Sequence, residues 1–253
     1  MKNNFLLSVI VPVYNEKKTF FILTKKLLKL KIKKIKLEII IVESNSTDGT
    51  REDVLKFKNN KNIKLILQPG SKGKGNAVIE GFKHVTGNYV IIQDADLEYD
   101  PSNFSTMLKP ILNNQTNFVL GSRIKKGILH MRSFKNRRIL SITFNLLHII
   151  LTSFFNVVYQ KFILDPWTCY RLFPASCLKK IKFYRQGFDF DTELICKLIR
   201  YGLKHKEVPI NYSSRSFEDG KKIKVFRDGY LALCAIIKYR FVRYTVNELE
   251  GGT

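Results

Sequence analysis

Two carboxylates one residue apart, Asp94 and Asp96, close the apolar run Ile91-Ile92-Gln93-Asp94-Ala95-Asp96 and lead into a turn-like stretch, Leu97-Glu98-Tyr99-Asp100-Pro101. Hard cations such as Mg²⁺ or Mn²⁺ are held by one or two carboxylates and complete their shell with substrate phosphates. An acidic pair at the end of a buried strand suits that task, because the strand fixes both groups before the metal arrives. The same triplet also fits a helix cap. Its chemistry must therefore be judged from what stands at the ends of the other strands.

Hydrophobic periodicity places those strands. Leu6 to Val13, Leu37 to Val42, Ile63 to Leu67, Tyr89 to Gln93 and Phe118 to Leu120 read as strands. Lys17 to Leu30, Asp48 to Phe57, Asn76 to Val85 and Asn103 to Leu112 read as helices. Near-continuous Val/Ile runs alternating with helices predict an α/β domain whose parallel sheet is covered on both faces. In such sheets ligands bind beyond the carboxyl ends of the strands. The first strand ends in Tyr14-Asn15-Glu16, the second in Glu43-Ser44-Asn45-Ser46-Thr47-Asp48-Gly49-Thr50, the fourth in Asp94-Ala95-Asp96. Beside them runs Gly70-Ser71-Lys72-Gly73-Lys74-Gly75. It is no Walker A loop, since Gly75 rather than Ser or Thr follows Lys74. It fits either a plain turn or close backbone approach to a phosphorylated ligand.

That acidic rim belongs to a basic chain. Over 253 residues, 44 Lys+Arg against 21 Asp+Glu give a net charge of +23, which draws anions: nucleotides, nucleic acid or acidic lipid headgroups. Part of the excess is general composition, since Lys, Ile and Asn are abundant throughout. Carboxylates gathered at one edge of such a chain mark a site expected to hold a cation. A nucleic-acid binder explains the charge but not this rim, so no nucleic-acid partner is expected. Cys169, Cys177, Cys196 and Cys234 are widely spaced and the four histidines show no ligand grouping, which predicts reduced thiols in a cytosolic protein. The first residues run straight into a strand, so no leader peptide is expected.

Several motifs in order carry a resemblance. They are Val11-Pro12-Val13-Tyr14-Asn15-Glu16, Val42 to Thr50, Gly73-Lys74-Gly75-Asn76-Ala77, Asp94-Ala95-Asp96 and Gly121-Ser122-Arg123. Asp165 to Leu172, Gly187 to Leu194 and Glu207-Val208-Pro209-Ile210 follow. Together they resemble family 2 glycosyltransferases of the GT-A fold, in the dolichol-phosphate mannose synthase branch, over roughly residues 6–240. The resemblance implies a mixed, mainly parallel sheet with helices on both faces. It implies a catalytic domain over 1–212, with 213–253 as a basic loop and helical extension. One departure stands out: where the second-strand motif usually carries two aspartates, this chain has Glu43 and Ser44.

The resemblance also implies roles. Pro12, Tyr14, Glu16 and Glu43 would hold the base and ribose of a GDP- or UDP-linked sugar, with Asp48 and Lys74 also on the donor. Asp94 and Asp96, with Asp191 as third contact, would reach a Mg²⁺ or Mn²⁺ that bridges the diphosphate. Arg123 would offer its fork to phosphate oxygens, and Asp96, Asp191 and Arg123 form the expected catalytic set. Arg215, Lys221 and Lys222 would lie on a loop that closes over the phosphates, with Gly220 lending mobility. Transfer would invert the anomeric carbon through an oxocarbenium-like transition state. A hydroxyl acceptor needs a base, with Asp189, Asp191 and Glu193 as candidates; a lipid phosphate, already ionised, needs none.

The expected acceptor is a polyprenyl phosphate met at the cytoplasmic membrane face by a peripheral enzyme. The alternatives are a glycan or other hydroxyl acceptor in cell-surface polysaccharide synthesis and, on a similar sheet, a nucleotidyltransferase. No charge occurs between Arg138 and Lys161, a stretch long enough to span a bilayer, but Ser141, Thr143, Asn145, His148, Thr152, Ser153 and Asn156 punctuate it. It reads as a helix packed on the domain or lying at a membrane surface. Lys25, Lys26, Lys29, Lys31, Lys33, Lys34 and Lys36, beside Leu27 and Leu30, fit either a solvated helix or an anionic membrane surface.

Overall fold

The computed structural model describes residues 5–124, 127, 131, 138–187, 189–215 and 225–242. Strands β1 (Phe5–Val13), β2 (Ile35–Glu43), β3 (Ile63–Leu67) and β4 (Tyr89–Ile92) alternate with helices α1 (Phe20–Lys29), α2 (Thr50–Leu55) and α3 (Lys74–Phe82). All pairings among these strands are parallel, with Val9 of β1 between Ile39 of β2 and Ile91 of β4. Successive residues point to opposite faces. Ile10, Ile40 and Ile92 therefore join one core with Ala77 and Val78 of α3, while Val9, Ile39 and Ile91 join the other with Phe20, Leu23 and Leu27 of α1. Both faces of β1, β4 and the second half of β2 are dry, which is why these stretches read as unbroken apolar runs rather than alternating ones.

The second half is built differently. Helix α4 (Phe104–Leu112) leads to β5 (Phe118–Ser122), then α5 (Arg138–Tyr159), β6 (Arg171–Pro174), α6 (Phe190–Arg200), β7 (His205–Pro209) and α7 (Val225–Phe241). The sheet order is β3-β2-β1-β4-β6-β5-β7. Strand β6 runs against both neighbours, setting Leu172 between Ile91 and Val119, and β5 and β7 are parallel. The sheet is thus mixed and mainly parallel. Helix α7 rests on α5 and α6, with the Tyr159 hydroxyl donating to Ile236 O (3.1 Å) and Arg200 to Tyr239 O (2.6 Å).

Strands β1 to β5 follow the hydrophobic pattern. Strands β6 and β7 escape it, since one is four residues headed by an arginine and the other is the mostly polar edge strand His-Lys-Glu-Val-Pro. Helix α2 starts later than Asp48 because Gly49 takes a left-handed conformation (φ 86). Helix α1 starts only at Phe20, after a turn closed on Glu16 O.

Candidate active site

The carboxyl ends of β1, β2 and β4 open onto one rim, and each strand turns there through a left-handed residue: Asn15 (φ 53), Asn45 (φ 59) and Leu97 (φ 62). The first two loops are stitched together. Asn15 N donates to Ser46 Oγ (2.9 Å), Thr47 N to Asn15 Oδ1 (2.8 Å) and Glu16 N to Thr50 Oγ1 (3.0 Å). Asp48 is exposed and organises this pair of loops, accepting from Thr50 N (3.0 Å) and Lys17 N (3.1 Å). Glu43 is fully buried; its Oε1 accepts from Ser46 N (2.6 Å) and its Oε2 lies 3.3 Å from Arg51. Pro12 is half-buried and Tyr14 exposed at the mouth of the same loops.

Beside them, acids and bases alternate. Lys74 Nζ sits 2.9 Å from Asp94 Oδ1, 3.1 Å from Asp191 Oδ2 and 3.4 Å from Cys169 Sγ. Arg171, fully buried, holds the other Asp191 oxygen at 2.8 Å and donates to Pro166 O (3.0 Å). Arg215 bridges Glu16 (2.9 Å) and Asp96 (3.2 Å), while its backbone N–H donates to Glu98 (2.7 Å). The structure therefore brings Glu16, Asp94, Asp96, Asp191, Lys74 and Arg215 into one cluster. Lys221, Lys222 and Gly220 lie outside the described residues.

The charges are unevenly met. Burial lowers the Lys74 pKa, but Asp191 and Asp94 outweigh it and hold the ammonium well above its ordinary value. Burial raises Asp191, yet Lys74 and Arg171 outweigh it and keep that carboxyl below the usual range. Asp96 goes the other way: burial, then the charges of Asp94 and Glu98, push it up to about 7 against the pull of Arg215. It is the carboxylate of this cluster short of positive charge, and a dication would relieve it.

The donor set fits such an ion. Among the described residues no group of three or more acidic, histidine or cysteine side chains stands ready to cage a metal. One or two carboxylates completed by phosphate oxygens are the usual arrangement for Mg²⁺. Asp94 and Asp96 would supply that; Asp191, gripped by two cations, would be the weaker third.

Arg123 is engaged within the protein. Its fork closes on Asp165 (Nε–Oδ2 2.8 Å, Nη2–Oδ1 2.6 Å) and its backbone N–H donates to the same carboxylate (2.9 Å). Asp165 has no exposed surface and His148 Nε2 is 3.8 Å away. Burial works to raise the Asp165 pKa, but Arg123 drives it well below the ordinary range. The guanidinium expected to meet donor phosphates is turned inward, because a buried carboxylate without a bonded cation is costly.

The glycine loop brings a second finding. Gly73 has φ +101, and a Cβ there would lie 2.5 Å from Gln186 O. One on Gly75 would lie 2.4 Å from Arg185 O and 2.6 Å from Phe190 Cβ. These glycines let segment 185–187 run across the loop, with Asn76 N donating to Gln186 O (3.1 Å). That segment is pinned in turn by Glu193, which accepts from Tyr184 N (3.0 Å) and Arg185 N (2.8 Å) and pairs with buried Lys197 at 2.6 Å. Asp189 faces Arg185 at 3.3 Å. Sequence reasoning assigned no role to Arg171, Cys169 or this segment, although the Asp165–Leu172 motif contains the first two.

The solved mannosyl-3-phosphoglycerate synthase from Rubrobacter xylanophilus superposes with a TM-score of 0.70 at 18% identity, over 92% of this chain and 73% of that one. Glucosyl-3-phosphoglycerate synthase from Mycobacterium tuberculosis, crystallised with Mg²⁺ and uridine diphosphate, gives 0.67 at 15%, over 95% and 81%. The fold is that of the GT-A glycosyltransferases. The model of glycosyl transferase family 2 matches residues 8–181. A dolichyl-phosphate beta-glucosyltransferase of Trichomonas vaginalis is 32% identical over 232 residues, covering 87% of this chain and 68% of that protein. A dolichol-phosphate mannosyltransferase of Mycosarcoma maydis is 29% identical over 209 residues (81% and 68%). A low-salt glycan biosynthesis hexosyltransferase of Haloferax volcanii is 27% identical over 194 residues, where the match spans 76% of this chain but only 43% of the relative. This chain belongs to glycosyl transferase family 2.

Proposed function

We propose that the protein transfers a sugar, with inversion, from a nucleoside-diphosphate sugar to a polyprenyl phosphate, using a divalent metal. The observation that carries this reading is the rim where Asp94 and Asp96 meet Lys74, Asp191 and Arg215. Asp94 and Asp96 would hold Mg²⁺ or Mn²⁺, which neutralises charge gathering on the departing diphosphate. Lys74 and Arg215 shield the carboxylates in the free protein; their side chains are mostly buried but keep 14% and 18% of their surface exposed, and phosphate oxygens would draw them over. Arg171 stays on Asp191 when Lys74 leaves, which keeps that carboxylate compensated. The stitched loops of Asn15, Glu16, Glu43 and Asp48 form the cradle for base and ribose, with Glu43 acting through Ser46 and Arg51 from inside.

The acceptor follows from the same pairings. A hydroxyl acceptor needs a free base, yet Asp189 faces Arg185, Asp191 is held by Lys74 and Arg171, and Glu193 is buried on Lys197. Asp191, held below the usual carboxylate range by Lys74 and Arg171, is a poor proton acceptor, whereas a phosphate monoester arrives as its own nucleophile. The names of the Trichomonas and Mycosarcoma relatives point to the same acceptor class. Such an acceptor would be met by a peripheral enzyme at the cytoplasmic membrane face, where a basic surface suits anionic headgroups.

Two assays test this. In a thermal-shift panel of UDP-, GDP- and dTDP-sugars with Mn²⁺, the right donor at 100 times its dissociation constant adds about 2.7 kcal/mol of stability. Radiolabelled donor with a short polyprenyl phosphate should then give labelled lipid. Label moving only to a soluble glycan would overturn the acceptor, and pyrophosphate release would reveal a nucleotidyltransferase.

A further inference from the structure

The turn that carries both rim carboxylates is held from underneath by a side chain to which the proposed function gives no part. Gln93, the residue before Asp94, has no exposed surface. Its amide nitrogen donates to Asp94 O (3.0 Å) and to Tyr99 O (3.2 Å), so one side chain spans both ends of the turn. Its amide oxygen accepts from the Tyr170 hydroxyl. The reverse amide orientation would set that oxygen against two carbonyls, so the bonding fixes which way the group points. Tyr170 is equally buried, and its ring lies 4.6 Å from that of Tyr99. Burial holds its pKa well above the ordinary value, which keeps the hydroxyl a donor. Tyr99 closes the circuit, its own hydroxyl accepting from Cys169 N (3.2 Å).

This clamp has strain to hold. Leu97, directly after Asp96, is left-handed (φ 62), and no glycine stands between Asp94 and Asp100 to ease the turn. A residue with a branched side chain keeps that conformation only where its surroundings over-determine it. On the same turn Glu98 N donates to Asp96 Oδ1 (3.0 Å), which ties the second carboxylate to the backbone geometry. The entry to β6 works on both sides of the rim. Tyr170 reaches the Asp94 turn through Gln93, and the next residue, Arg171, holds Asp191 at 2.8 Å. Consecutive side chains of an extended chain point to opposite faces. One dipeptide therefore sets the carboxylates on either side of Lys74, which lies 2.9 Å from Asp94 and 3.1 Å from Asp191.

We propose that Gln93 and Tyr170 are positioning residues for the metal: their buried pair holds the strained turn so that Asp94 and Asp96 stand ready for a divalent cation. This deepens the proposed function and rests on it for the ion. Neither side chain touches the cation or the donor; both act through the backbone of Asp94 and Tyr99. Partners one bond removed from a metal ligand orient it and tune its affinity, and losing them typically costs about 10–100-fold. Without the amide, the turn is free to relax toward ordinary backbone angles, and Asp96 moves with it.

Metal binding can be read directly, from the loss of the free Mn²⁺ paramagnetic resonance signal on titrating the full-length protein with Mn²⁺ alone and with UDP or GDP added. Gln93→Met keeps the length of the side chain and removes all three hydrogen bonds, and should weaken Mn²⁺ binding by about 10–100-fold. Tyr170→Phe removes one hydroxyl and should weaken it less, in the same direction. The double variant should be no worse than Gln93→Met alone, because the tyrosine acts through the glutamine. At saturating Mn²⁺, kcat should fall while donor KM stays near wild type, the sign of misplaced groups rather than lost donor contacts. If Gln93→Met does not fold, Tyr170→Phe decides by itself. Wild-type Mn²⁺ affinity and kcat in the variants, with only the urea midpoint lowered, would overturn the proposal and leave a purely structural pair. Fully additive losses in the double variant would overturn it as well. Wild type that binds no Mn²⁺ under any of the three conditions would strike the proposed metal, and this role with it.

Discussion

Arg123–Asp165 and the Asp94–Lys74–Asp191–Arg215 cluster use the same residue types to opposite ends. The first is a closed pair: three hydrogen bonds, no exposed carboxylate surface, every charge answered once. The second shares its cations among several acids, stays partly open, and leaves Asp96 under-compensated. What separates structure from function here is not the presence of charge but whether its account is settled inside the protein. The sealed pair ties the end of β5 to the segment of Asp165, and the unsettled one is where the proposed function puts its ligand.

The contrast is broken most sharply at Asp96. Asp96→Asn should lower transfer by about three orders of magnitude, the scale of losing a preorganised electrostatic contact at the reacting centre. The melting temperature should not fall, because no sealed pair is lost. Asp94→Asn and EDTA should act in the same direction. Full turnover in EDTA, measured with labelled donor, would end the metal assignment.

Arg123→Met should do the reverse. Leaving Asp165 charged and alone in the core should cost about 3–5 kcal/mol in urea unfolding. A cost below about 1 kcal/mol, the level of an exposed pair, would mean that water reaches Asp165.

The two carboxylates should also titrate in opposite senses. Asp96 has its pKa raised from 3.8 to about 7, so the folded state retains a proton that the unfolded chain has lost. Its effect is to reduce stability as pH rises from about 4 through 7. Asp165 has its pKa lowered, so it contributes stability above about pH 4 that is lost as pH falls toward its folded value. In metal-free urea titrations, Asp96→Asn should flatten the neutral limb and Asp165→Asn the acid limb. Parallel wild-type and Asp96→Asn profiles between pH 4 and 8 would show that Asp96 is well solvated.

The mildest effect belongs to Glu43, which meets the donor loops from within. Glu43→Gln weakens its hold on Ser46 and Arg51 and should raise the donor KM roughly fivefold, about the worth of one hydrogen bond, with little change in kcat. A kcat effect larger than the KM effect would place Glu43 nearer the reacting phosphates.

The sequence makes the first half legible because β1, β4 and the second half of β2 are buried on both faces and say so in Val and Ile. Glu16, Asp94 and Asp96 were readable for the same reason, as polar endings to apolar strands. Beyond β5 the signal fades. Strand β6 has only Arg171-Leu172-Phe173-Pro174 to declare itself, and its arginine is the buried partner of Asp191, a role no periodicity encodes. The inward turn of Arg123 depends on Asp165, and the tight glycine loop on Gln186; both are long-range contacts without a local trace. The polar punctuation of α5 was visible, but which side faced the protein was not.

The reversed course of β6 bears on how the chain comes together after synthesis. Until residues 171–174 emerge from the ribosome, Tyr89–Ile92 is the bare edge of a nascent sheet, four apolar residues with unpaired amides, a template for mispairing. The rim is finished later still, since Arg215 reaches Glu16 across 199 positions. Contacts so distant in sequence slow folding, so the strands made first wait longest for the contact that closes the rim.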